Sequence, residues 1–230
     1  PSNTRSTVQL GTYSNLINRV SMSNEILQLQ SRQLMTEVVR SLDADIDYIV
    51  KDRLRDMELY TTAPVRLFPD REQADGVAFE IFVTPQPDNT IIVREGENDA
   101  RMVALGDTVS ISGLNVVFKP TPEYNNYLDK EIIVRKHVAA NAAGSFLSRL
   151  KVFQTEEDGS ILQLTLQDYS FRRADDVLNM LIVKYNEDAL REKNRIAVNT
   201  AAFINERIII IENELGNVED SLARFKSSEK

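Results

Sequence analysis

Between Tyr13 and Leu42, the apolar residues Leu16, Val20, Ile26, Leu29, Leu34, Val38 and Leu42 recur at spacings near three and four. Ser, Asn, Gln and Arg fill the positions between them. That period predicts an amphipathic helix. Asp43-Ala44-Asp45 is expected to end it, because short acidic side chains compete for backbone groups. From Ile46 to Leu59 the pattern is shared between two readings. Ile46, Tyr48 and Val50 alternate as a strand would, while Leu54, Met57 and Glu58 could continue a helix. Extended structure is preferred, since Pro64 and the short run Val65 to Phe68 follow closely.

The middle of the chain changes character. Val77 to Thr84, Thr90 to Arg94, Arg101 to Leu105, Thr108 to Ser112, Asn115 to Lys119 and Glu131 to Arg135 are short, β-branched runs. Pro87-Asp88-Asn89, Gly96-Glu97-Asn98-Asp99, Gly106-Asp107 and Gly113 separate them with turn chemistry. The expectation is a β meander with two short hairpins, inserted over about residues 76–135, with Pro120 to Asn126 as an exposed loop. Leu150 to Thr155 and Ile161 to Gln167 form a further hairpin around Glu156-Glu157-Asp158-Gly159, where the Asp-Gly pair accepts a tight turn.

The last quarter predicts one long helix, about residues 171–228. Asp168 or Ser170 can cap it, and no proline occurs after Pro122. Ala197, Ala201, Ile204, Ile208, Ile211, Leu215, Val218, Leu222 and Phe225 alternate steps of four and three, a heptad seam sustained for about four heptads. Such a helix would be roughly 85–90 Å long. Gly216 marks the expected kink. The pattern is still running near Lys230, which predicts a helix that continues, and a seam covered by another chain or a returning helix. The fold class is therefore α+β: an amphipathic N-terminal helix, a mixed or antiparallel sheet with a β-meander insertion, and a long C-terminal helix with a heptad pattern. The whole of 1–230 is expected to form a single domain.

Composition narrows the functions. A net charge of −8 argues against a nucleic-acid surface, which needs clustered Lys and Arg, and against attraction to anionic lipids. The chain has no cysteine, so thiolate metal sites, disulfides and thiol catalysis are excluded. No apolar run approaches the ~18–20 residues that cross a bilayer.

Candidate chemistry is sparse. His137 is the only histidine, which excludes a multi-histidine metal site and reads most simply as structural. Asp43, Asp45 and Asp47 alternate like the start of a calcium loop, but Tyr48 stands where that loop needs Gly and Leu54 where it needs Glu. They are read as a solvated helix end. Glu156, Glu157 and Asp158 sit on a turn tip, where nothing fixes two carboxylates at a working separation. Phosphate-binding glycine loops and nucleophile elbows are absent. Arg172 and Arg173 open the last helix, where the dipole disfavours cations unless a partner compensates. They and the cluster Arg191, Lys193 and Arg195 are read by default as solvated surface, with Arg172 and Arg173 as candidate polar contacts. No catalytic, cofactor or metal residue is assigned.

Several segments, taken in order along the chain, match the pattern of one known family. Ser23-Asn24-Glu25-Ile26-Leu27, Ser31-Arg32-Gln33-Leu34-Met35, Val38-Val39 and Leu42 are similar to the family's first helix. Glu58-Leu59-Tyr60 and Ala63-Pro64-Val65 resemble its entry into the sheet, and Gly106-Asp107-Thr108-Val109 with Gly113 to Phe118 its β insertion. The best match is carboxy-terminal. It begins with Ile161-Leu162-Gln163-Leu164, Ala174, Val177-Leu178-Asn179, Leu181-Ile182 and Tyr185. Phe203-Ile204-Asn205-Glu206-Arg207, Ile211-Glu212, Glu214-Leu215, Glu219, Leu222 and Phe225-Lys226 complete it. In this order the segments resemble the periplasmic region of polysaccharide co-polymerases, the Wzz-like chain-length determinants, especially those associated with bacterial tyrosine kinases. Arg173 departs from the pattern, standing where many relatives place a proline.

The resemblance implies a periplasmic domain between two membrane helices, assembled as a ring of identical subunits. Its implied partners are a polysaccharide polymerase, an export channel and the polysaccharide itself, with no catalytic residue or cofactor in this region. The oligomer or partner seam would be Ile204, Ile208, Ile211, Leu215, Val218, Leu222 and Phe225. The competing reading is a periplasmic adaptor of an efflux or secretion system. It ranks lower because adaptors carry a helical hairpin between two halves of a β domain. A carboxylate-based sugar hydrolase ranks third, for want of two buried acidic residues facing a cleft.

Overall fold

The computed structural model describes residues 22–51, 56–155 and 161–228, with side chains of the last helix described to residue 216. It is mixed α and β, and every strand pairing is antiparallel. The chain separates into two compact units, Pro1–Lys184 and Tyr185–Lys230.

In the first unit a short helix, α1, covers residues 22–29, and α2 follows at Arg32–Leu42. The expected single helix from Tyr13 to Leu42 is thus broken at Gln30-Ser31, while its first residues lie outside the described part. Ser31 is extended, and its hydroxyl accepts from Leu34 N at 3.1 Å. A serine that caps a new helix cannot also continue the old one, and this local bond outcompetes the apolar period. Asp43 ends α2 in the left-handed region, φ 49°, where Asp is among the tolerated residues.

Strands β1 (Ile46–Lys51), β2 (Asp56–Glu58), β4 (Phe79–Gln86), β5 (Thr90–Glu95), β6 (Arg101–Ala104) and β9 (Ile132–Lys136) form a six-stranded sheet in the order β2-β1-β9-β4-β5-β6. A second sheet has the order β3-β8-β7, from Val65–Pro69, Leu114–Pro120 and Thr108–Ile111. The expected self-contained insertion is therefore not what forms. Its strands divide between two sheets, β8 pairs with β3 from outside the insertion, and β9 returns between β1 and β4. Period-two alternation decides this. Ile81, Val83, Ile91, Val93, Ile132 and Val134 turn one face of the large sheet towards Leu67, Ile111, Leu114, Val116 and Phe118 of the small one, in a shared apolar core. Tyr48 reaches between the sheets, its hydroxyl accepting from Leu67 N at 2.9 Å.

The expected exposed loop from Pro120 to Asn126 also needs correction. Its Tyr124 is buried, and its hydroxyl donates to Thr90 O at 2.5 Å and accepts from Gln86 N at 3.3 Å. A buried phenol needs such partners, and here they pin a helical turn against β4 and β5.

Helix α3, Ala139–Arg149, was not anticipated. It buries Ala139, Ala142, Ala143 and Phe146, a helical face whose small residues carry little hydropathy, and it packs on α2. The hairpin β10 (Leu150–Gln154) and β11 (Leu162–Leu166) leads to α4, Phe171–Ser228, which carries the chain into the second unit. Glu156, Glu157 and Asp158 lie outside the described residues. The second unit takes in the rest of α4, whose helical residues continue through Gly216.

Candidate functional site

Alternation along β1 buries Ile46 and Tyr48 in the core and turns Asp47 and Ile49 to the opposite face. Antiparallel register places Arg135 of β9 beside Asp47. The adjoining β2 contributes Asp56 and Glu58, α3 contributes Asn141, Ser145, Phe146 and Arg149, Tyr169 comes from the approach to α4 and Arg173 from its first turn. Together they line an open cleft of about 770 Å³ within the first unit.

Arg173 is its buried anchor, 6% exposed in the first turn of α4. Its Nη1 donates to Asp47 Oδ1 at 2.7 Å, its Nε to Asp168 Oδ1 at 2.9 Å, and Glu58 Oε1 stands 3.7 Å from Nη1. Arg149 Nη1 donates to the other oxygen of Asp168 at 2.7 Å. His137 Nε2 lies 2.9 Å from Asp47 Oδ2. Ser170 caps the helix, its hydroxyl accepting from Arg173 N at 3.3 Å, while Asp168 accepts from Ser170 N. Three carboxylates thus answer the question posed by a cation at a helix N-terminus. Charge-assisted bonds to Asp47 and Asp168 outweigh a dipole worth about 0.3–1 kcal/mol.

The electrostatics of the carboxyls differ. Burial pushes Asp47 up, but the bonds from His137 and Arg173 outweigh it and hold Asp47 below the ordinary range. Burial, reinforced by the neighbouring charge of Asp47, pushes Glu58 up to about 7, although Arg173 and the amides of Tyr48 and Tyr60 oppose it. Two carboxyls with diverging affinities for a proton therefore face one cleft, an arrangement that no spacing in the sequence announces. Both oxygens of Asp47 are already engaged, and Glu58 Oε1 accepts from Tyr48 N and Tyr60 N. The cluster is built to hold elements together.

Of the residues singled out from the sequence, Arg173 is not solvated surface as expected by default, because its ion pairs draw it inside. Arg172 is exposed. The acidic cluster read as a solvated helix end is corrected in the same way. Asp45 is buried and accepts from the fully enclosed Lys136 Nζ at 2.7 Å, and Asp47 joins the Arg173 network. Among the described residues no group of three or more acidic or histidine side chains is arranged to hold a metal ion. Arg191 and Arg195 make exposed pairs with Asp188 and Glu192 one turn away, the ordinary chemistry of a solvated helix.

On α4, Ile204, Ile208, Ile211 and Leu215 are all exposed, as are Phe203, Ile209 and Ile210. The side chains of Val218, Leu222 and Phe225 lie outside the described part. No helix among the described residues is long and apolar enough to cross a membrane. Compared with known proteins, the chain matches no family model and no curated protein sequence.

Proposed function

We propose that the chain is a non-catalytic, periplasmic scaffold of an inner-membrane polysaccharide co-polymerase. It assembles with copies of itself and thereby regulates the length and export of capsular, exopolysaccharide or O-antigen polymers. Membrane helices flanking this region anchor it, and a polymerase and an export channel work beside it. The resemblance of ordered segments from Ser23 to Lys226 supports the family, and the apolar surface of α4 supports the assembly.

One observation carries the reading. Ile208, Ile209, Ile210 and Ile211 are 46%, 59%, 39% and 59% exposed, and four consecutive residues point in four directions at roughly 100° per step. A helix turn that is apolar all round is a buried turn in the working protein. A single partner helix along the heptad seam would cover Ile204, Ile208, Ile211 and Leu215 but leave Ile209 and Ile210 wet. Cover on more than one side fits a helix in the wall of a multi-subunit assembly better than a two-stranded coil. The engaged oxygens of Asp47 fit a structural role for the polar cluster.

Placing Ile208→Asp together with Ile211→Asp in the membrane-anchored parent tests the function. The expected result is loss of the regulated polymer-length distribution, read by gel electrophoresis of the polysaccharide, with the protein still present in the membrane. An unchanged length distribution would contradict the proposal.

A further inference from the structure

The first turns of α4 are held to the rest of the first unit in two ways. Ala174, Val177 and Leu181 recur at helical spacing and are buried, an apolar face pressed inwards. Beside that face the ties are polar. Arg173 bonds to Asp47 of β1 and to Asp168. Tyr60, just after β2, donates its hydroxyl to Asp176 Oδ2 at 2.8 Å.

Glu58 sits between these two ties. Its Oε1 accepts from Tyr60 N at 3.3 Å and stands 3.7 Å from Arg173 Nη1, and its side chain is only 9% exposed. Tyr60 has φ 40°, a left-handed conformation that a bulky residue rarely holds. Arg66 lies over its ring, 5.7 Å from the centroid. The turn that presents Tyr60 to α4 is therefore strained, and its bonds to Glu58 and Asp176 keep it in place.

The charges around Glu58 do not balance. Among the described residues, the carboxyls of Asp47, Asp168 and Glu58 meet two guanidinium groups at this root, Arg173 and Arg149. Arg135 is taken by Glu80, Asp56 is exposed, and His137, beside Asp47, is charged only when protonated. Asp176 adds a further acid next to Tyr60. One proton on Glu58 brings the three carboxyls and two guanidinium groups to neutrality. Without it an excess negative charge is left where water is scarce, and lifting α4 off β2 would hydrate it.

We propose that the proton on Glu58 is a latch for the root of α4. With it, residues 171–181 stay docked; without it, they open locally while the two sheets stay folded. Burial and the charge of Asp47 keep the proton on Glu58 up to about 7 in the docked form, against an ordinary 4.5 once water reaches the carboxyl. Docking is therefore complete below about pH 4.5 and is lost progressively as pH rises through about 7. The latch rests on neither the seam of α4 nor the scaffold reading.

The chain has no cysteine, so a single introduced thiol reports on burial without competition. Val177→Cys places it on the docked face of α4, and Val134→Cys, equally enclosed, places it in the sheet core. Labelling of the whole folded chain by a thiol reagent is divided by that of a denatured control at the same pH, which removes the thiol's own titration. Between about pH 5 and pH 8, this ratio is expected to rise at least tenfold for the Val177→Cys chain. At about pH 8 it is expected to exceed that of the Val134→Cys chain by at least tenfold. Adding Glu58→Gln is expected to abolish the rise, and Ala174→Cys, on the same buried face, repeats the measurement with a smaller change of volume. A ratio at Val177 that is flat with pH, that matches Val134, or that still rises with Glu58→Gln overturns the latch.

Discussion

Arg173→Met is expected to destabilise the first unit by roughly 3–5 kcal/mol, far more than any substitution on the solvated surface. The guanidinium neutralises Asp47 and Asp168 from inside the structure, and the Asp168 side chain has no exposure at all. Methionine keeps much of the volume but leaves those carboxylates facing one another across an apolar gap. Breaking a buried pair from one side costs far more than its net contribution, because the enclosed Asp168 would keep only Arg149, and Asp47 only His137, as a partner. Urea unfolding followed by circular dichroism measures the difference. Arg172→Ala, one residue away and exposed, is expected to stay within about ±0.5 kcal/mol. A small effect at Arg173 would show that the cluster is not what fixes the start of α4.

Glu58→Gln is expected to flatten the pH dependence of stability and to stabilise the protein at neutral pH. Burial and Asp47 raise the folded-state affinity of Glu58 for its proton to about 7 from an ordinary 4.5. The folded protein therefore holds this proton more tightly than the unfolded chain does. The associated stability is complete below about pH 4.5 and is lost as pH rises through about 7. Across that window the loss is about 3 kcal/mol. Glutamine keeps a carbonyl oxygen for the amides of Tyr48 and Tyr60, now at 3.2 and 3.3 Å from the carboxyl, and removes the buried charge. Unfolding free energies of the two proteins should converge at acid pH and separate above about pH 7, with the variant the more stable. Parallel pH profiles would rule out Glu58 as the titrating group.

Much of the strand content was legible because turn chemistry and β-branched runs are local signals. Thr90 to Arg94 and Asn115 to Lys119 sit within β5 and β8, and Ile161 to Gln167 contains β11. The pairing of those strands was not legible. Whether β8 joins β7 alone or also β3 depends on faces that meet across the core, which no single run encodes. Helix α3 could have been found, since Ala139, Ala142, Ala143 and Phe146 lie at helical spacing and alanine is the strongest helix former. The break at Ser31 shows the opposite limit, where one capping hydroxyl overrides an apolar period that runs through it.

The polar site was hidden for a different reason. Asp47 and Arg173 are 126 residues apart, and neither belongs to a motif. Each looked like surface because charged residues usually are. What could have raised suspicion is Arg173 itself, a cation in the first turn of a helix, which is unfavourable without partners. Helix α4 itself needed no such inference, because its apolar period lies along one continuous stretch of sequence.

Sedimentation equilibrium of the purified chain tests the self-association of α4 most directly. The expected result is a mass that rises with concentration above the monomer value, and monomer at every concentration once Ile208→Asp and Ile211→Asp are combined. A wild-type chain that remains strictly monomeric over the same range would contradict that self-association.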